Sequence, residues 1–411
     1  MIRKNRWNII TLRDNILRLL LMLLPLSLLF PFRIALLEEY LLIITWITAH
    51  VWKSKNVSFR IDRLTLSFFA FYLILVISLI YSANVKHGFL KLQTQLGLVV
   101  YPLVLSTLVP YLDPKLIKRS LIIFVIAVVM ILLITEITIL PHVIHSERFS
   151  HRELYIWQMD RIFSIHMADY SVMLLITILF LYSRVLRTKS GLALSFMVVF
   201  LIILGLWILY TGSMISKLVL GVLVFSELMR NLFIFLRKKQ KLYAYIITCI
   251  LIIAGLSGIV FIGRGLSVPE NLKTDTRTQI WPVSWSLIKK APILGYGIGD
   301  YGDVMVKALE EQSLFRLSEE KLNSHNQYLN ILLISGFTGL LIFFLILLFN
   351  AVKLIRDKNI FGFWIELTFI LYFMTEASLL RYKGVGLFAI FMVLSHYYAS
   401  FEYDKGKTAE S

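Results

Sequence analysis

The chain has 411 residues, of which 58% are hydrophobic, with a mean hydropathy of +0.78 and a net charge of +17. Soluble domains are usually less than half apolar, and a soluble enzyme on one anchor would leave a long polar stretch that is missing here, so the composition excludes a soluble protein. The charge is explained by membrane topology rather than by nucleic acid, because the basic residues gather in alternate loops.

Apolar runs of about 20 residues, each long enough to cross a bilayer as a helix, recur along the chain. They predict helices at roughly 15–32, 34–52, 64–82, 91–111, 117–140, 163–184, 193–211, 214–236, 242–263, 326–352, 361–376 and 384–401, about 12 spans in a single integral membrane domain over 1–411. The first 30 residues begin basic and turn apolar like a signal peptide. No small-residue cleavage site follows, and Pro31-Phe32-Arg33 leads into the next apolar run, so they read as an uncleaved first helix. The only cysteine, Cys249, lies inside an apolar run, which leaves no internal disulfide and no thiol metal site.

Lys and Arg mark the cytoplasmic loops of membrane proteins. Here they cluster at the N-terminus (Arg3, Lys4, Arg6, Arg13) and then in every second loop: Lys53 to Arg63, Lys115 to Arg119, Arg184 to Lys189, Arg237 to Lys241 and Lys353 to Lys358. That alternation places both termini in the cytoplasm. Two outer loops are long, at about 141–162 and about 264–325, and loops of such length without an evident fold are usually functional. Within the second, 303–322 carries apolar residues at helical spacing (Val304, Leu309, Leu314, Leu317, Leu322), which predicts a short amphipathic helix able to lie on the membrane surface.

Several polar residues sit at the outer mouths of these helices. His325 and Asn326 open an apolar helix that contains glycines; a neutral imidazole there can accept a proton from a hydroxyl, or the cluster can simply cap the helix. Arg277 precedes Trp281 by one helical turn, and Gly295, Gly297 and Gly299 alternate in PILGYGIGD, which reads as a surface turn or as a backbone path close to a ligand or a neighbouring helix. Lys217 lies about one turn inside a helix, placed to act on a ligand or to snorkel. His166, Asp169 and Tyr170 enter another helix from outside, and Glu376 and Arg381 share the last outer loop, where they can pair with each other. Lys217, Arg277, Arg381, His325, His166 and Glu376 thus share one side of the membrane. Clustered cations with a histidine suit a polyanion such as a pyrophosphate together with a proton acceptor. No metal-ligand spacing is present, and no cofactor is implied.

RTQIW…PILGYGIGDY followed by SHNQYLNILLISGFTGLLIFF resembles the signature of the O-antigen ligase and O-antigen polymerase superfamily of bacterial membrane glycosyltransferases. The likeness is carried by an Arg, a Trp one turn on, Pro-x-x-Gly-x-Gly-x-Gly, then His-Asn-x-x-Leu and a small-residue turn in a membrane helix. It covers roughly residues 210–345, and TEASLLRYKGVGLF resembles the last outer loop of Bacteroidetes-type members. The resemblance implies an all-helical membrane fold of the GT-C type with one large periplasmic loop in the bacterial inner membrane. It implies an undecaprenyl-pyrophosphate-linked glycan donor, a lipid A-core or glycan acceptor, and transfer on the periplasmic face without metal. By position, Arg277 and His325 match the family's functional arginine and histidine, with Lys217, Arg381, His166, Tyr170, Glu376 and Asn326 expected to bind substrate. Where the family often has Ser-Arg, this chain has Ser216-Lys217, which keeps the charge without the bidentate fork.

The late position of the large loop favours a ligase. A repeat-unit polymerase and a protein O-oligosaccharyltransferase stand beside it in the same superfamily. A polysaccharide transporter is the reading from another class, and it predicts charges buried mid-helix rather than gathered at one face.

Overall fold

A computed structural model of the chain describes residues 2–51, 61–145, 151–185, 191–211, 214–237 and 276–398. The predicted span at 242–263 with Cys249, the loop segment 264–275, and the cations Lys53, Lys55, Arg60, Arg187, Lys189, Lys238, Lys239 and Lys241 lie outside the described residues. All regular structure among the described residues is helical.

In chain order the helices are α1 (Ile2–Ser27), α2 (Phe32–Val51), α3 (Arg63–Ile80), α4 (Val85–Thr94), α5 (Gly97–Thr107), α6 (Pro114–His145), α7 (His151–Phe163), α8 (Met167–Val185), α9 (Gly191–Thr211) and α10 (Met214–Arg237). They are followed by α11 (Thr276–Lys290), α12 (Tyr301–Glu311), α13 (Phe315–Glu319), α14 (Gln327–Arg356), α15 (Ile360–Phe373) and α16 (Tyr382–Tyr398). Among the described residues, six helical stretches are long and apolar enough to cross a membrane: Arg33–Val51, Arg63–Ile80, Val85–Thr107, Pro114–His142, Met167–Val185 and Gln327–Arg356. Ser195–Leu209, Ser216–Ser226 and Ile360–Phe373 are apolar but shorter. The chain is therefore a multi-pass membrane protein, helical throughout the regular structure of its described residues.

Some boundaries differ from the sequence expectation. The predicted helix 91–111 is two helices, α4 and α5, because the backbone turns at Gln95-Leu96 before Gly97. The predicted outer loop 141–162 holds the end of α6 and all but the last residue of α7, whose polar composition concealed it among loop residues. Residues 303–322 carry two helices, α12 and α13, separated at Ser313, where φ is +59°. Their apolar residues Leu309 and Leu317 are buried in the protein's own core, with Val304, Leu314 and Leu322 packed against it.

The core of the bundle is aromatic. Phe343 of α14 packs on Phe71 of α3 at 5.2 Å between ring centroids and on Phe388 of α16 at 5.8 Å, and Phe388 in turn meets Phe373 of α15 at 5.1 Å. Offset rings of this kind add to the burial of their area. α8 is the most enclosed of the six spans, with 72% of its apolar window buried against 17% for Arg33–Val51.

One break organises the packing of α14 against α3 and the glycine segment. Gly336 interrupts α14 with φ +63° and ψ −161°. The interruption leaves backbone groups in an apolar helix without intrahelical partners, a state that is tolerated only where other protein groups satisfy them. The glycine segment does so: Tyr296 N–H donates to the Leu333 carbonyl at 2.8 Å, Gly297 N–H to Ile334 at 2.9 Å, and Phe337 N–H to the Pro292 carbonyl at 2.8 Å. On its other side the segment meets the end of α3. Ser78 and Ser82 hydroxyls accept the Ile298 and Gly299 N–H groups at 3.1 Å each, and Tyr81 donates to the Leu294 carbonyl at 2.6 Å. Of the two readings the sequence left open for the alternating glycines, the structure shows close approach to neighbouring helices.

A Cβ on Gly336 would run into the Ile293 carbonyl, and the positive φ disfavours any side chain. Gly336→Ala should lower stability by about 1–3 kcal/mol or more. A methyl group added to Gly302, on α12, would meet nothing within 4 Å, so Gly302→Ala should be neutral or stabilise by up to about 1 kcal/mol. Melting of both purified variants in detergent checks the difference, and equal melting temperatures would contradict it.

Candidate functional site

The helix ends α14 (start), α15 (end), α16 (start) and α8 (start) meet at one end of the bundle, and α11 closes over them. The short segment after α15 is the hub. Asn326 donates from Nδ2 to the Met374 carbonyl at 3.0 Å, and Arg277 donates from Nη2 to the next carbonyl, Thr375, at 3.1 Å. Gln327 accepts the Leu379 N–H at 2.9 Å. Asn326 is also the N-cap of α14, accepting from Tyr328 and Leu329 N–H at 3.0 and 3.1 Å, so one amide both starts the helix and docks it.

His325 sits immediately before that cap, half-buried, with φ +44°, and its N–H is held by the Asn323 side chain at 2.8 Å. A left-handed conformation in a non-glycine residue costs about 1–3 kcal/mol and persists where its surroundings enforce it. Trp281, one turn after Arg277, donates from its indole to the Ser324 carbonyl at 2.9 Å. α11 thereby grips the residue on one side of His325 while Asn326 anchors the other.

Arg381 carries the electrostatic core. Its Nε and Nη2 bind the two oxygens of Asp169 at 2.8 and 3.1 Å, and Asp169 is only 1% exposed. Tyr372 of α15 donates to the same carboxylate at 2.7 Å. Burial alone would push the Arg381 guanidinium towards neutrality, but Asp169 outweighs it and holds the side chain charged. Glu376 lies between two arginines, 3.5 Å from Arg381 and 3.6 Å from Arg277.

His166 stands at the mouth of α8, after a turn in which Ser164 has φ +52°. Its Nδ1 accepts the Ala168 N–H at 3.3 Å, which caps α8 and places the proton of a neutral ring on Nε2. The residue is solvent-exposed. Even so, desolvation by the protein behind it and then the charge of Arg381 hold the imidazole below its ordinary range. It is a hydrogen-bond donor at neutral pH. Lys383, buried, fixes the turn before it by donating to the Phe163 carbonyl at 2.6 Å.

The structure thus brings together Arg277, Asn326, Glu376 and Arg381, with His325 and His166 at the edge of the group. Lys217 lies half-buried on the first turn of α10, beside the fully buried Ser216, on a helix that packs against α8 and α15. Tyr170 faces elsewhere: it is fully buried, and its hydroxyl donates to the Val128 carbonyl of α6 at 2.8 Å. Asp169, Tyr372 and Lys383 were not among the expected binding residues. Asp169 is one of the polar residues noted at the mouth of its helix, but its pairing with Arg381 was not expected. Tyr372 and Lys383 give no pattern of their own. No group of three or more His, Cys, Asp or Glu side chains among the described residues is placed to hold a metal ion. The arrangement offers cations for an anion, a donor imidazole in His166, and a second imidazole in His325.

Removing one partner of a buried ion pair strands the other. Asp169→Asn should therefore cost about 3 kcal/mol, the low end for such pairs because Arg381 keeps 28% of its side chain exposed. Glu376→Gln, with its longer contacts, should cost about 1 kcal/mol or less. Thermal denaturation of the two purified variants measures this, and the reverse ranking would show that Glu376 is the stronger anchor.

A family model described as O-antigen ligase matches residues 164–344, from the turn before His166 to just beyond the Gly336 break. No curated protein matches the chain. The matched segment includes His166, Asp169, Lys217, Arg277, His325 and Asn326, while Glu376 and Arg381 lie past its end. The match over this segment, together with the multi-pass helical fold and the order of these residues, supports membership of the O-antigen ligase superfamily.

Proposed function

We propose that the protein is a ligase-type glycosyltransferase that moves a glycan from an undecaprenyl-pyrophosphate carrier to a sugar of lipid A-core, without a metal ion. In this reading it has about 12 spans in a GT-C-type arrangement. It lies in the bacterial inner membrane with both termini cytoplasmic and the site on the periplasmic face. The supporting observation is the docking of Arg277 and Asn326 on the consecutive carbonyls of Thr375 and Met374, which sets a guanidinium and the residue next to His325 on one short segment.

The chemistry follows from charge. The acceptor hydroxyl oxygen forms a bond to the anomeric carbon of the donor glycan. The bond from that carbon to the pyrophosphate oxygen breaks, the leaving group takes the electron pair, and the hydroxyl proton passes to His325. Negative charge grows on the pyrophosphate, where a preorganised guanidinium is most effective. Arg381 is already matched by Asp169. Arg277 meets Glu376 only at 3.6 Å, a contact that a pyrophosphate oxygen can replace, so Arg277 is assigned to the leaving group. Arg381 and Glu376 orient Arg277, His166 donates from Nε2, Asn326 holds His325 in place, and Lys217 adds positive charge from α10.

A lipopolysaccharide gel of the host lacking this gene, complemented with each variant, tests the reading. His325→Ala and Arg277→Ala, expressed at normal levels, should leave core without attached glycan and accumulate long lipid-linked chains. Core capped by a single repeat would mean a polymerase. An unchanged gel with both variants would remove these residues from the chemistry and redirect the search to exopolysaccharide or glycoprotein acceptors.

A further inference from the structure

We infer that the Trp281–Trp285 ridge of α11 is a glycan platform, on which sugar rings of the acceptor lie as they approach His325. The word acceptor rests on the transferase reading above; the binding of sugar rings does not.

α11 is two-faced. Ile280, Val283, Leu287 and Ile288 are buried, so its aliphatic residues turn into the protein. The opposite face carries Arg277, Trp281, Trp285 and Lys289 at four-residue spacing, one ridge about 18 Å long. Trp281 is 37% and Trp285 47% exposed. Exposed indoles leave a large apolar area in contact with solvent, and covering it is favourable.

Three features say what covers it. The ridge is continuous with the site: it begins at Arg277, which binds the Thr375 carbonyl, and Trp281 holds the carbonyl of Ser324, the residue before His325. The indole N–H of Trp281 is already used, so its ring is fixed in orientation and presents a flat face. A pyranose has one face of C–H groups and a rim of hydroxyls. It stacks on such a face through the electron-rich π surface, with little entropy lost on the protein side. The residues around the rings, Thr278, Gln279, Lys289 and Lys290, are polar and cationic, suited to hydroxyls and acidic substituents. A helix lying in the bilayer interface would instead expose aliphatic residues beside its tryptophans; in α11 the isoleucines, the valine and the leucine are all buried and Pro282 is the only exposed aliphatic residue, while the exposed Ile293 and Leu294 lie beyond its end.

The test uses the full-length protein in detergent and in nanodiscs, with delipidated core oligosaccharide of the host as probe and tryptophan fluorescence as readout. Trp285 is the residue to change, because Trp281 also holds the Ser324 carbonyl. Trp285→Ala should weaken oligosaccharide binding about tenfold, and Trp285→Tyr should stay within about threefold of the parent. Equal affinity of the parent and Trp285→Ala, or no binding by the parent, overturns the proposal. So does emission that depends on Trp285 and is quenched by brominated lipid but not by oligosaccharide, since that places the ridge in the bilayer. The two readings fail separately. Binding as expected with no glycan transfer keeps the platform and removes the transferase, whereas transfer with binding indifferent to Trp285 does the opposite.

Discussion

The bidentate pair of Arg381 and Asp169 constrains everything at the end of the bundle where α8 and α16 start. Asp169 opens the most enclosed helix, and its carboxylate is acceptable there only because a guanidinium and the Tyr372 hydroxyl satisfy it. The pair is weak evidence for stability in itself, because taking two charges out of water offsets most of their attraction. What it supplies is position. It ties α8 to the start of α16 across 212 residues of sequence and to the end of α15 through Tyr372. With Arg381 matched, Glu376 is shared with Arg277, and the Arg381 charge helps to keep the neighbouring His166 neutral. One ion pair therefore adds to the effect of desolvation on His166 and fixes the placement of two further side chains.

A second constraint is made of backbone. The break at Gly336 and the segment Pro292–Gly299 complete each other's hydrogen bonds, and the serines and Tyr81 at the end of α3 close the far side. Since α11 leads directly into that segment, fixing it against α14 also fixes the register of α11 over the start of α14. That register is what brings Trp281 to Ser324 and Arg277 to Thr375. The glycines thus act at a distance from the chemistry: they hold a helix in place rather than hold a ligand. Gly295, with φ +68°, shows the tolerance involved, since a side-chain carbon there would lie 2.6 Å from the Ile334 carbonyl carbon.

Much of this was legible in the sequence because it is local. Apolar run length gave the helices, and the mouths of those helices gave Arg277, His325, Asn326, His166, Glu376 and Arg381. Pairing across the chain was not legible. Glu376 and Arg381 are five residues apart and suggest each other, yet the tight partner of Arg381 is Asp169 on another helix. Tyr170 shares a helix turn with Asp169, but the rotation of α8 sends its hydroxyl to Val128, and no pattern in a helix apolar on all sides fixes that rotation. α7 and the interruption in α14 were hidden for opposite reasons. The first is too polar to stand out among loop residues. The second is a single glycine inside a long apolar run, where composition cannot separate a kink from a close packing contact.

α16 shows why a helix this apolar needs polar anchors at both ends. In an apolar surrounding, sliding or rotating one greasy helix against another changes little, so register must come from groups that cannot be left unpaired. At its start, Arg381 and Lys383 bind Asp169 and the Phe163 carbonyl. At its other end, His396 faces Asn350 of α14 at 2.8 Å and Asp62 before α3 at 3.2 Å, Tyr397 donates to Asp62 at 2.7 Å, and Asn359 donates to the Ser395 carbonyl at 2.8 Å. Between these anchors the helix contributes rings such as Phe388 to the aromatic core, whose packing alone is compatible with several rotations. The far-end network touches none of the residues around Arg381, yet it removes the freedom that would let Arg381 drift from Asp169. Buried polar groups of this kind act as registry devices more than as sources of net stability, and here the register they enforce is what keeps Arg277 and Glu376 within reach of each other.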